Sequence, residues 1–282
     1  MYNILVTGAS GQLGSELQAI AGGYEYVFHF KSTKALDITN YKMFEQFVVD
    51  NHINVIINCA AYTAVDKAES ESELANAINH LAVKHMAELA KAHQIKLVHI
   101  STDYVFDGNN YRPYVESDAT NPKSVYGKTK LNGELAMQQI NPSNSVIIRT
   151  SWVYSKFGNN FVKTMLRLAE TKDEISVVAD QIGSPTNAAD LAEAILTILP
   201  KISNETVEVF HYSNEGVCSW YDFANAIFDI ADINVKVNTI ETYQYPTAAK
   251  RPYYSLLNKS KIKIKFQIEI PNWKDSLVNC LS

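Results

Sequence analysis

A tyrosine and a lysine four positions apart are the residues of this chain best suited to act together in a reaction. Tyr126 and Lys130 lie in the segment VYGKTKLNGE, within a pattern that predicts an amphipathic helix over 124–139. Residues i and i+4 share one face of a helix, so the phenol and the ammonium are expected to be neighbours. A nearby positive charge favours the phenolate and lowers the tyrosine pKa from its usual value of about 10. Chance supplies about one such pair in a chain of this composition, so the surroundings must decide.

The residues that follow one predicted strand complete a reactive set. KLVHIS predicts a strand over 96–101, and Thr102 and Asp103 come directly after it. Ligands of open parallel sheets bind at the carboxyl ends of the strands. A hydroxyl there can orient a carbonyl oxygen while a tyrosine protonates it and a hydride reaches the carbon. We therefore predict that Thr102 polarises the substrate, Tyr126 is the general acid, and Lys130 tunes its pKa and holds the cofactor ribose.

A glycine-rich turn joins the first predicted strand to the first predicted helix. In VTGASGQLG, Gly8, Gly11 and Gly14 are spaced three apart. Glycine lets the backbone approach a pyrophosphate, whose charge suits the helix N-terminus. A tight strand–helix connection would explain the same glycines. The position of the turn at the start of a βαβ pattern favours dinucleotide binding.

The end of the second predicted strand bears on the choice of dinucleotide. An acidic residue often holds the ribose hydroxyls there, whereas this chain has Lys31, Ser32 and Lys34. An ammonium and a hydroxyl suit a 2′-phosphate better than a carboxylate does. The sequence therefore predicts NADPH as the cofactor, with NADH possible, and a solvated loop is the alternative reading of these residues.

Apolar runs alternate with helical patterns over the first half of the chain. Strands are predicted at 3–7, 26–30, 55–59, 96–101 and 145–150, and helices at 12–20, 41–50, 71–93 and 124–139. This alternation predicts an α/β protein with a Rossmann-type doubly wound parallel sheet and a smaller, interleaved C-terminal substrate domain. We expect residues 1–150 to bind NAD(P) and residues 151–282 mainly to bind substrate, with segments around 180–212 returning to the first domain.

Two local features are also predicted. The face of helix 71–93 that packs on the sheet should be formed by Leu74, Ala77, Ile78, Leu81 and Met86. Thr63 and Asp66 have the spacing of a capping box at the start of a short helix.

Composition limits the classes of partner. The net charge is −5 and the lysines are scattered, which argues against nucleic acid and against an anionic membrane surface. No apolar run has the roughly 18 residues of a membrane span. Cys59, Cys218 and Cys280 are odd in number and far apart, so we expect neither a disulfide framework nor a zinc site. These features predict a cytoplasmic protein.

Ten short motifs carry a resemblance through residues 3 to 258. They are GASGQLG, LDIT, NCAAYTAVDKAE, STDYVFDG, VYGKTKLNGE, RTSWVY, GNNFVKTMLRLA, DQIGSPT, WYDFA and RPYYSLLN. In these motifs the chain resembles the extended short-chain dehydrogenase/reductase superfamily, and within it the dTDP-4-dehydrorhamnose reductases. The resemblance implies NAD(P)H-dependent reduction of the 4-keto group of a dTDP-sugar substrate.

The resemblance also implies further site residues. The cofactor pyrophosphate would lie along Gly11, Gln12 and Leu13, the adenine between Asp37 and Ile38, and the apolar shelf under the cofactor at Ala61, Tyr62 and Thr63. The substrate would meet Thr102, Asp103, Trp152, Asn160, Gln181, Arg251 and Ser255. Trp152 as a core anchor, Arg251 in a loop salt bridge and Asp37 as a helix cap remain open alternatives.

Assembly and function also leave alternatives. Some relatives form a homodimer bridged by Mg²⁺; Glu16 and Asp190 could supply two carboxylates, but the tail NWKDSLVNCLS offers no third glutamate, so Mg²⁺ is doubtful. The regulatory β subunit of methionine adenosyltransferase looks similar and is a non-catalytic alternative. An epimerase or dehydratase acting on another nucleotide sugar is a third, although dehydratases usually place an Asp–Glu pair after the catalytic threonine, where this chain has Asp103 and Tyr104.

Overall fold

The structure is a computed structural model that describes residues 1–282. The strands are β1 (Asn3–Thr7), β2 (Val27–Lys31), β3 (Val55–Asn58), β4 (Lys96–Thr102), β5 (Val146–Thr150), β6 (Val153–Tyr154), β7 (Glu174–Val178), β8 (Ile182–Gly183), β9 (Thr186–Asn187), β10 (Glu208–His211), β11 (Cys218–Ser219) and β12 (Lys236–Ile240). The helices are α1 (Gln12–Ile20), α2 (Tyr41–Asp50), α3 (Val65–Ala68), α4 (Ser72–Asn76), α5 (Ala82–His93), α6 (Val125–Ile140), α7 (Phe161–Ala169), α8 (Ala188–Ile198), α9 (Trp220–Ile230), α10 (Ser260–Phe266) and α11 (Trp273–Leu281). None of these helices is both long and apolar enough to cross a membrane.

Six strands form the central sheet in the order β10-β5-β4-β3-β1-β2. All five pairings are parallel. The chain starts at β1, adds β2 on one side and then crosses to β3 on the other, so the strand order switches between β1 and β3. A crevice forms at such a point, at the carboxyl ends of the strands. The predicted doubly wound Rossmann-type sheet is confirmed.

Burial on both faces explains why these segments are strands. Every residue of β3 and of β5 is buried, as expected for apolar, β-branched strands covered by helices on both sides. Ile4 and Val6 pack with α1 and α8 on one face. Leu5 packs with α2 and α5 on the other. Alternation along one strand thus divides the core into two layers.

The second half of the chain contributes to both parts of the molecule. Strand β10 pairs with β5 at the edge of the central sheet, and α8 packs against α1. A separate core is built by α7, α9 and α11 with the parallel pair β7 and β12, around Tyr154, Phe223 and Trp273. The domain boundaries remain a prediction.

The predicted sheet-packing face of helix 71–93 is wrong at Leu74 and Leu81 and holds at Met86. Leu74 and Leu81 are 49% and 39% exposed, while Met86 is buried. A π-helical turn at Ala77–Leu81 separates α4 from α5, so the rotation per residue assumed for one continuous α-helix does not hold.

The predicted capping box at the start of α3 is absent. The N-cap position is Ala64, and its side chain makes no capping bond. The Asp66 carboxylate instead accepts the backbone N–H of Ala249 at 3.0 Å and pairs with Arg251. Asp66 therefore pairs with a residue 185 positions away in the chain and does not cap α3.

Candidate active site

A cavity of about 620 Å³ opens at the carboxyl ends of β1, β3, β4 and β5. Its wall contains most of the residues predicted for cofactor and chemistry. They are Gly8, Gly11, Gln12, Leu13, Asp37, Ile38, Ala61, Thr63, Thr102, Asp103, Tyr126, Lys130 and Trp152. Residues from the glycine turn, from the end of β4 and from α6 therefore share one space, as predicted.

The glycine turn is shaped by close backbone contacts. Gly8 has a φ of +64°, and a Cβ there would lie 2.7 Å from the Ala60 nitrogen. A Cβ on Gly14 would lie 2.4 Å from the Gly8 carbonyl oxygen, so α1 packs directly on the turn. Gly11 is the N-cap of α1 and provides no side-chain cap, which leaves first-turn N–H groups free for an anion. This arrangement fits a pyrophosphate.

The far end of the cavity matches the predicted adenine position. Ile38 is buried and Asp37 is exposed beside it. Asp37 Oδ1 accepts hydrogen bonds from the Thr39 N–H at 2.9 Å and the Thr39 hydroxyl at 2.7 Å. The cap of α2 is Asn40, not Asp37. Asp37 thus orders the turn before the helix, and its second oxygen has no partner within the protein.

The predicted 2′-phosphate residues lie beside the cavity and not in its wall. The Lys31 ammonium lies 4.8 Å from the centre of the Phe47 ring, a cation–π contact. Neither Lys31 nor Ser32 lines the cavity, whereas Thr33 does. Thr33 is uncharged, and the direction of its side chain is not visible in the sequence, so no sequence signal singled it out.

The predicted cofactor shelf after β3, residues 61–63, is formed by backbone as well as by side chains. Ala61 and Thr63 line the cavity, but the Tyr62 hydroxyl donates to Glu71 at 2.5 Å and its ring is not in the wall. Asn79 accepts the Tyr62 N–H at 2.9 Å and donates to the Tyr62 carbonyl at 3.1 Å. Asn79 belongs to the π-helical turn, which therefore supports the cofactor shelf from below.

The predicted catalytic residues meet at the centre of the cavity. The Thr102 hydroxyl donates to Asp103 Oδ1 at 2.9 Å and accepts the Tyr104 N–H at 3.2 Å. Tyr126 lies in the first turn of α6, whose N-cap Ser124 accepts the Gly127 N–H at 3.1 Å. Lys130 Nζ, one turn further on, donates to the Ile100 carbonyl of β4 at 2.6 Å. Helix α6 and strand β4 thus hold the set together.

Burial dominates the acidity of these groups. Desolvation raises the pKa of Tyr126, the Thr102 hydroxyl lowers it by a smaller amount, and the Asp103 charge raises it further. Lys130 is not among the groups that shift the Tyr126 pKa, and the net shift is upward, opposite to the predicted direction. Desolvation also lowers the pKa of Lys130 to about 8, against the opposing effect of Glu134 and Cys59. Desolvation raises the pKa of Asp103 to about 7.

A buried ion pair beneath Lys130 fastens α6 to the sheet. Arg149 Nη2 of β5 donates to Glu134 Oε2 at 2.7 Å, and both side chains are almost fully buried. The Ser101 hydroxyl of β4 also donates to Glu134. Sequence reasoning missed this pair, although Glu134 lies in the motif VYGKTKLNGE, one helical turn after Lys130.

Trp152 forms the wall opposite the catalytic helix. Its φ of +50° lies in the left-handed region, which bulky residues rarely adopt. The ring stacks on Trp220 with centroids 3.7 Å apart and an angle of 13°. A Cβ on Gly183 would lie 2.9 Å from the Trp152 ring, so that glycine makes room for it. The predicted substrate contact and its alternative as an anchor both fit, because the residue lines the cavity and packs against α9.

Four other predicted substrate residues lie outside the cavity wall. The Asn160 amide donates to Gln12 Oε1 at 2.9 Å and to the Ser155 carbonyl at 2.7 Å. Its oxygen caps α7 by accepting the Lys163 N–H at 3.1 Å. Asn160 therefore ties the phosphate-binding turn to the smaller unit.

Arg251, Gln181 and Ser255 are also engaged within the protein. Arg251 pairs with Asp66, as the salt-bridge alternative predicted, and its Nη1 lies 3.3 Å from the Tyr104 hydroxyl. Gln181 Nε2 donates to the Thr242 hydroxyl at 3.1 Å. Ser255 is buried, and its hydroxyl favours the charged form of Asp103.

The carboxylates considered for Mg²⁺ are used by neighbouring hydroxyls and amides. Glu16 Oε1 accepts the Ser155 hydroxyl at 2.6 Å. Asp190 Oδ2 accepts the Asn214 amide at 2.6 Å and the Ser276 hydroxyl at 2.5 Å. No group of three or more His, Cys, Asp or Glu side chains is placed to hold a metal ion. Each of the two carboxylates thus has one oxygen engaged within the chain, and no third carboxylate lies beside them.

Sequence comparisons agree with the resemblance over almost the whole chain. The model of the family described as RmlD substrate binding domain matches residues 2–282. The dTDP-4-dehydrorhamnose reductase of Aggregatibacter actinomycetemcomitans is 45% identical, covering 99% of this chain and 98% of that protein. The enzyme of the same name from Escherichia coli K12 is 42% identical over 96% of this chain and 94% of its own.

Solved structures give the same result. The crystal structure of a dTDP-4-dehydrorhamnose reductase from Clostridium acetobutylicum is 43% identical, with a TM-score of 0.94 over 99% of this chain and 98% of that one. The Bacillus anthracis dTDP-4-dehydrorhamnose reductase, solved in complex with NADP, is 40% identical with a TM-score of 0.94 over 99% of both chains. These likenesses extend across the sheet, the cavity and the smaller unit alike.

Proposed function

The chain belongs to the RmlD family, and from this premise we propose that it reduces the 4-keto group of dTDP-4-dehydro-L-rhamnose to give dTDP-L-rhamnose, with NADPH as the reductant. The single observation that carries the proposal is the shared cavity. It joins an uncapped helix N-terminus suited to a pyrophosphate with Thr102, Tyr126 and Lys130. NADH remains a possible second reductant.

Each catalytic side chain has a role that its position supports. NADPH, when bound, supplies the hydride that reaches C4 of the sugar. Tyr126 gives its phenolic proton to the oxygen that gains negative charge at that carbon. Its raised pKa keeps the phenol protonated before the reaction. Lys130 places a cation beside the cofactor ribose, and Thr102 hydrogen-bonds the keto oxygen.

The other residues are assigned by their distance from that centre. The turn from Gly8 to Gly14 binds the pyrophosphate, and Asp37 with Ile38 binds the adenine. Trp152 contacts the sugar nucleotide. Arg251, in the loop that follows β12, binds the diphosphate once it is released from Asp66, because a guanidinium donates two parallel hydrogen bonds to such an anion.

Domain roles and assembly complete the proposal. Residues 1–150 hold the cofactor, and 151–282 mainly hold the sugar nucleotide, with α8 and β10 belonging to the first unit. Three free cysteines fit a reducing, cytoplasmic compartment. A homodimer follows from the family resemblance and is tested by light scattering.

The central experiment follows NADPH absorbance while the protein is offered dTDP-4-dehydro-L-rhamnose and, separately, other 4-keto nucleotide sugars. We expect oxidation of NADPH with the rhamnose precursor and formation of dTDP-L-rhamnose. The Tyr126→Phe variant should bind NADPH like the wild type and lose about 10³-fold in kcat, within the range of general acid catalysis.

Two results would contradict the proposal in different ways. NADPH binding without turnover of any 4-keto sugar would favour the regulatory alternative. Full turnover by Tyr126→Phe would show that another group protonates the oxygen.

A further inference from the structure

Asp103 is a buried carboxyl group in the middle of the cavity wall, only 3% exposed. One oxygen, Oδ1, lies 2.9 Å from the Thr102 hydroxyl. The other, Oδ2, is buried and has no hydrogen-bond partner. An unpaired buried oxygen is far more costly on a charged carboxylate than on a neutral acid. The surroundings of Asp103 therefore favour its protonated form.

The protonation state of Asp103 decides what Thr102 can do. A carboxylate only accepts, so the single Thr102 proton must then point at Asp103 and away from the substrate. A neutral carboxylic acid donates to the Thr102 oxygen, which frees the Thr102 proton to point at Tyr126 or at the keto oxygen. Thr102 can orient the substrate only when Asp103 is neutral.

The charged and titratable groups around Asp103 come from several elements. Tyr126 and Lys130 face the same cavity from α6, and Cys59 faces it from the end of β3. Tyr104 follows Asp103 in the chain and lies edge-on to Tyr126, with ring centres 5.4 Å apart. Two residues of the C-terminal segment also contribute: Ser255 lowers the pKa of Asp103 through a hydrogen bond, and Arg251 lowers the pKa of Tyr104. Asp66 of α3 pairs with that arginine. Desolvation raises the Asp103 pKa to about 7, although hydrogen bonds from the Thr102 and Ser255 side chains and from the backbone of Asp103 and Tyr104 lower it by a smaller amount.

We propose that Asp103 acts as a neutral carboxylic acid that directs the Thr102 hydroxyl and returns a proton to Tyr126 after each reduction. The inference rests on the proposed reductase function. Tyr126 is left as a phenolate once its proton has gone to the sugar oxygen. The Thr102 O–H bond then breaks and its proton goes to the phenolate, while the Asp103 proton moves to the Thr102 oxygen. Asp103 ends as a carboxylate and regains a proton from an acid in the solvent (hydronium or protonated buffer), so that each reduction consumes one proton from solution.

The first measurement concerns the wild-type protein alone. With aspartate isotope-labelled at its carboxyl carbon, we expect NMR to show one carboxyl that titrates near the Asp103 pKa of about 7. The Asp103→Asn variant assigns that signal by removing it. Absence of any aspartate titrating in this range would overturn the proposal, whatever substrate the protein uses.

The second measurement separates one reduction from repeated reduction. Asparagine can still donate to Thr102 but has no proton to give. In Asp103→Asn, the rate at which the first bound NADPH is oxidised is therefore measured separately and serves as the reference for the later turnovers. The steady-state rate of this variant should fall by at least about tenfold, a modest share of the usual effect of a proton donor. Imidazole buffer, added at constant pH, should restore that rate by supplying an external acid.

The matched control is Asp118→Asn, which removes a carboxylate that pairs with Arg112 outside the cavity. It should match the wild type in both phases and show no response to imidazole. A steady-state rate of Asp103→Asn equal to the wild type, or a slow rate that imidazole leaves unchanged, would overturn the role in proton return. If the wild type oxidises no NADPH with any 4-keto sugar, the proposed function fails instead, and the NMR titration still decides the state of Asp103.

Discussion

The two ends of the cavity are built from different parts of the polypeptide. At the phosphate end, the shape comes from backbone: Gly8 and Gly14 remove side chains where chain segments touch. Next to the cavity, on the side proposed to hold the substrate, Asn160, Gln181 and Arg251 are each bound to another side chain. A backbone-built site is ready for its ligand, whereas a site built from paired side chains must exchange partners when the ligand arrives.

The largest effect is expected from adding one carbon to the phosphate end. Gly14→Ala places a Cβ 2.4 Å from the Gly8 carbonyl oxygen, so the turn or α1 must move. We expect NADPH binding to weaken by about 100-fold, or about 3 kcal/mol, in a fluorescence titration. The matched control is Gly22→Ala, where nothing lies within 4 Å of the new Cβ. Unchanged affinity in Gly14→Ala would show that the close packing is not needed for the cofactor.

At the other end, the Arg251–Asp66 pair tests the exchange of partners. Arg251→Met should raise KM for the sugar nucleotide by about tenfold through loss of a charged hydrogen bond, without changing NADPH affinity. Asp66→Asn should lower that KM, because it frees the guanidinium. If both variants lose stability equally and leave KM alone, Arg251 is only a loop salt bridge.

A pH experiment tests the boundary between the two ends, at Lys130. Burial lowers its pKa from the usual 10.5 to about 8. Between these values the unfolded chain binds more protons than the folded one, so the wild type gains stability as pH rises through this window. The Tm of the wild type should therefore rise relative to that of Lys130→Met from pH 8 to pH 10.5. Lys128→Met, an exposed lysine on the same helix, should show no such trend.

The smallest effect is expected where the two ends are joined. Asn160→Ala removes the cap of α7 and the contact with Gln12. We expect a loss of about 1 kcal/mol in urea unfolding, typical of a lost N-cap. Asn160→Asp keeps the cap oxygen and loses the amide donor. If the KM for the sugar nucleotide increases in both Asn160→Asp and Asn160→Ala, the amide group also binds the substrate.

The same contrast explains what could be predicted from the sequence. The five predicted strands and three of the four predicted helices of the first half lie within about two residues of their observed bounds, because apolar periodicity and glycine spacing are local signals; the fourth helix, 71–93, is divided by the π-helical turn. Gly8, Gly11 and Gly14 were recognised for the same reason. Thr102, Tyr126 and Lys130 share the cavity because strand ends and one helical face are fixed by topology.

Features that depend on distant partners were not predictable. Asp66 pairs with Arg251 and does not cap α3, the Lys31 ammonium lies over the Phe47 ring, and the Tyr62 hydroxyl donates to Glu71. Leu74 and Leu81 are exposed because the π-helical turn changes the rotation per residue along the helix, and no local sequence pattern predicts this turn. The raised pKa of Tyr126 follows from burial, which depends on every element around the cavity.

The stacked indoles of Trp152 and Trp220 give the protein an optical property of its own. They are two of only three tryptophans in the chain, and one of them faces the cavity. Emission from such a pair changes when the separation of its rings changes or when a molecule settles against the outer ring. The fluorescence of the Trp152–Trp220 pair is thus expected to report on a molecule that binds in the cavity beside Trp152, without an added dye or label.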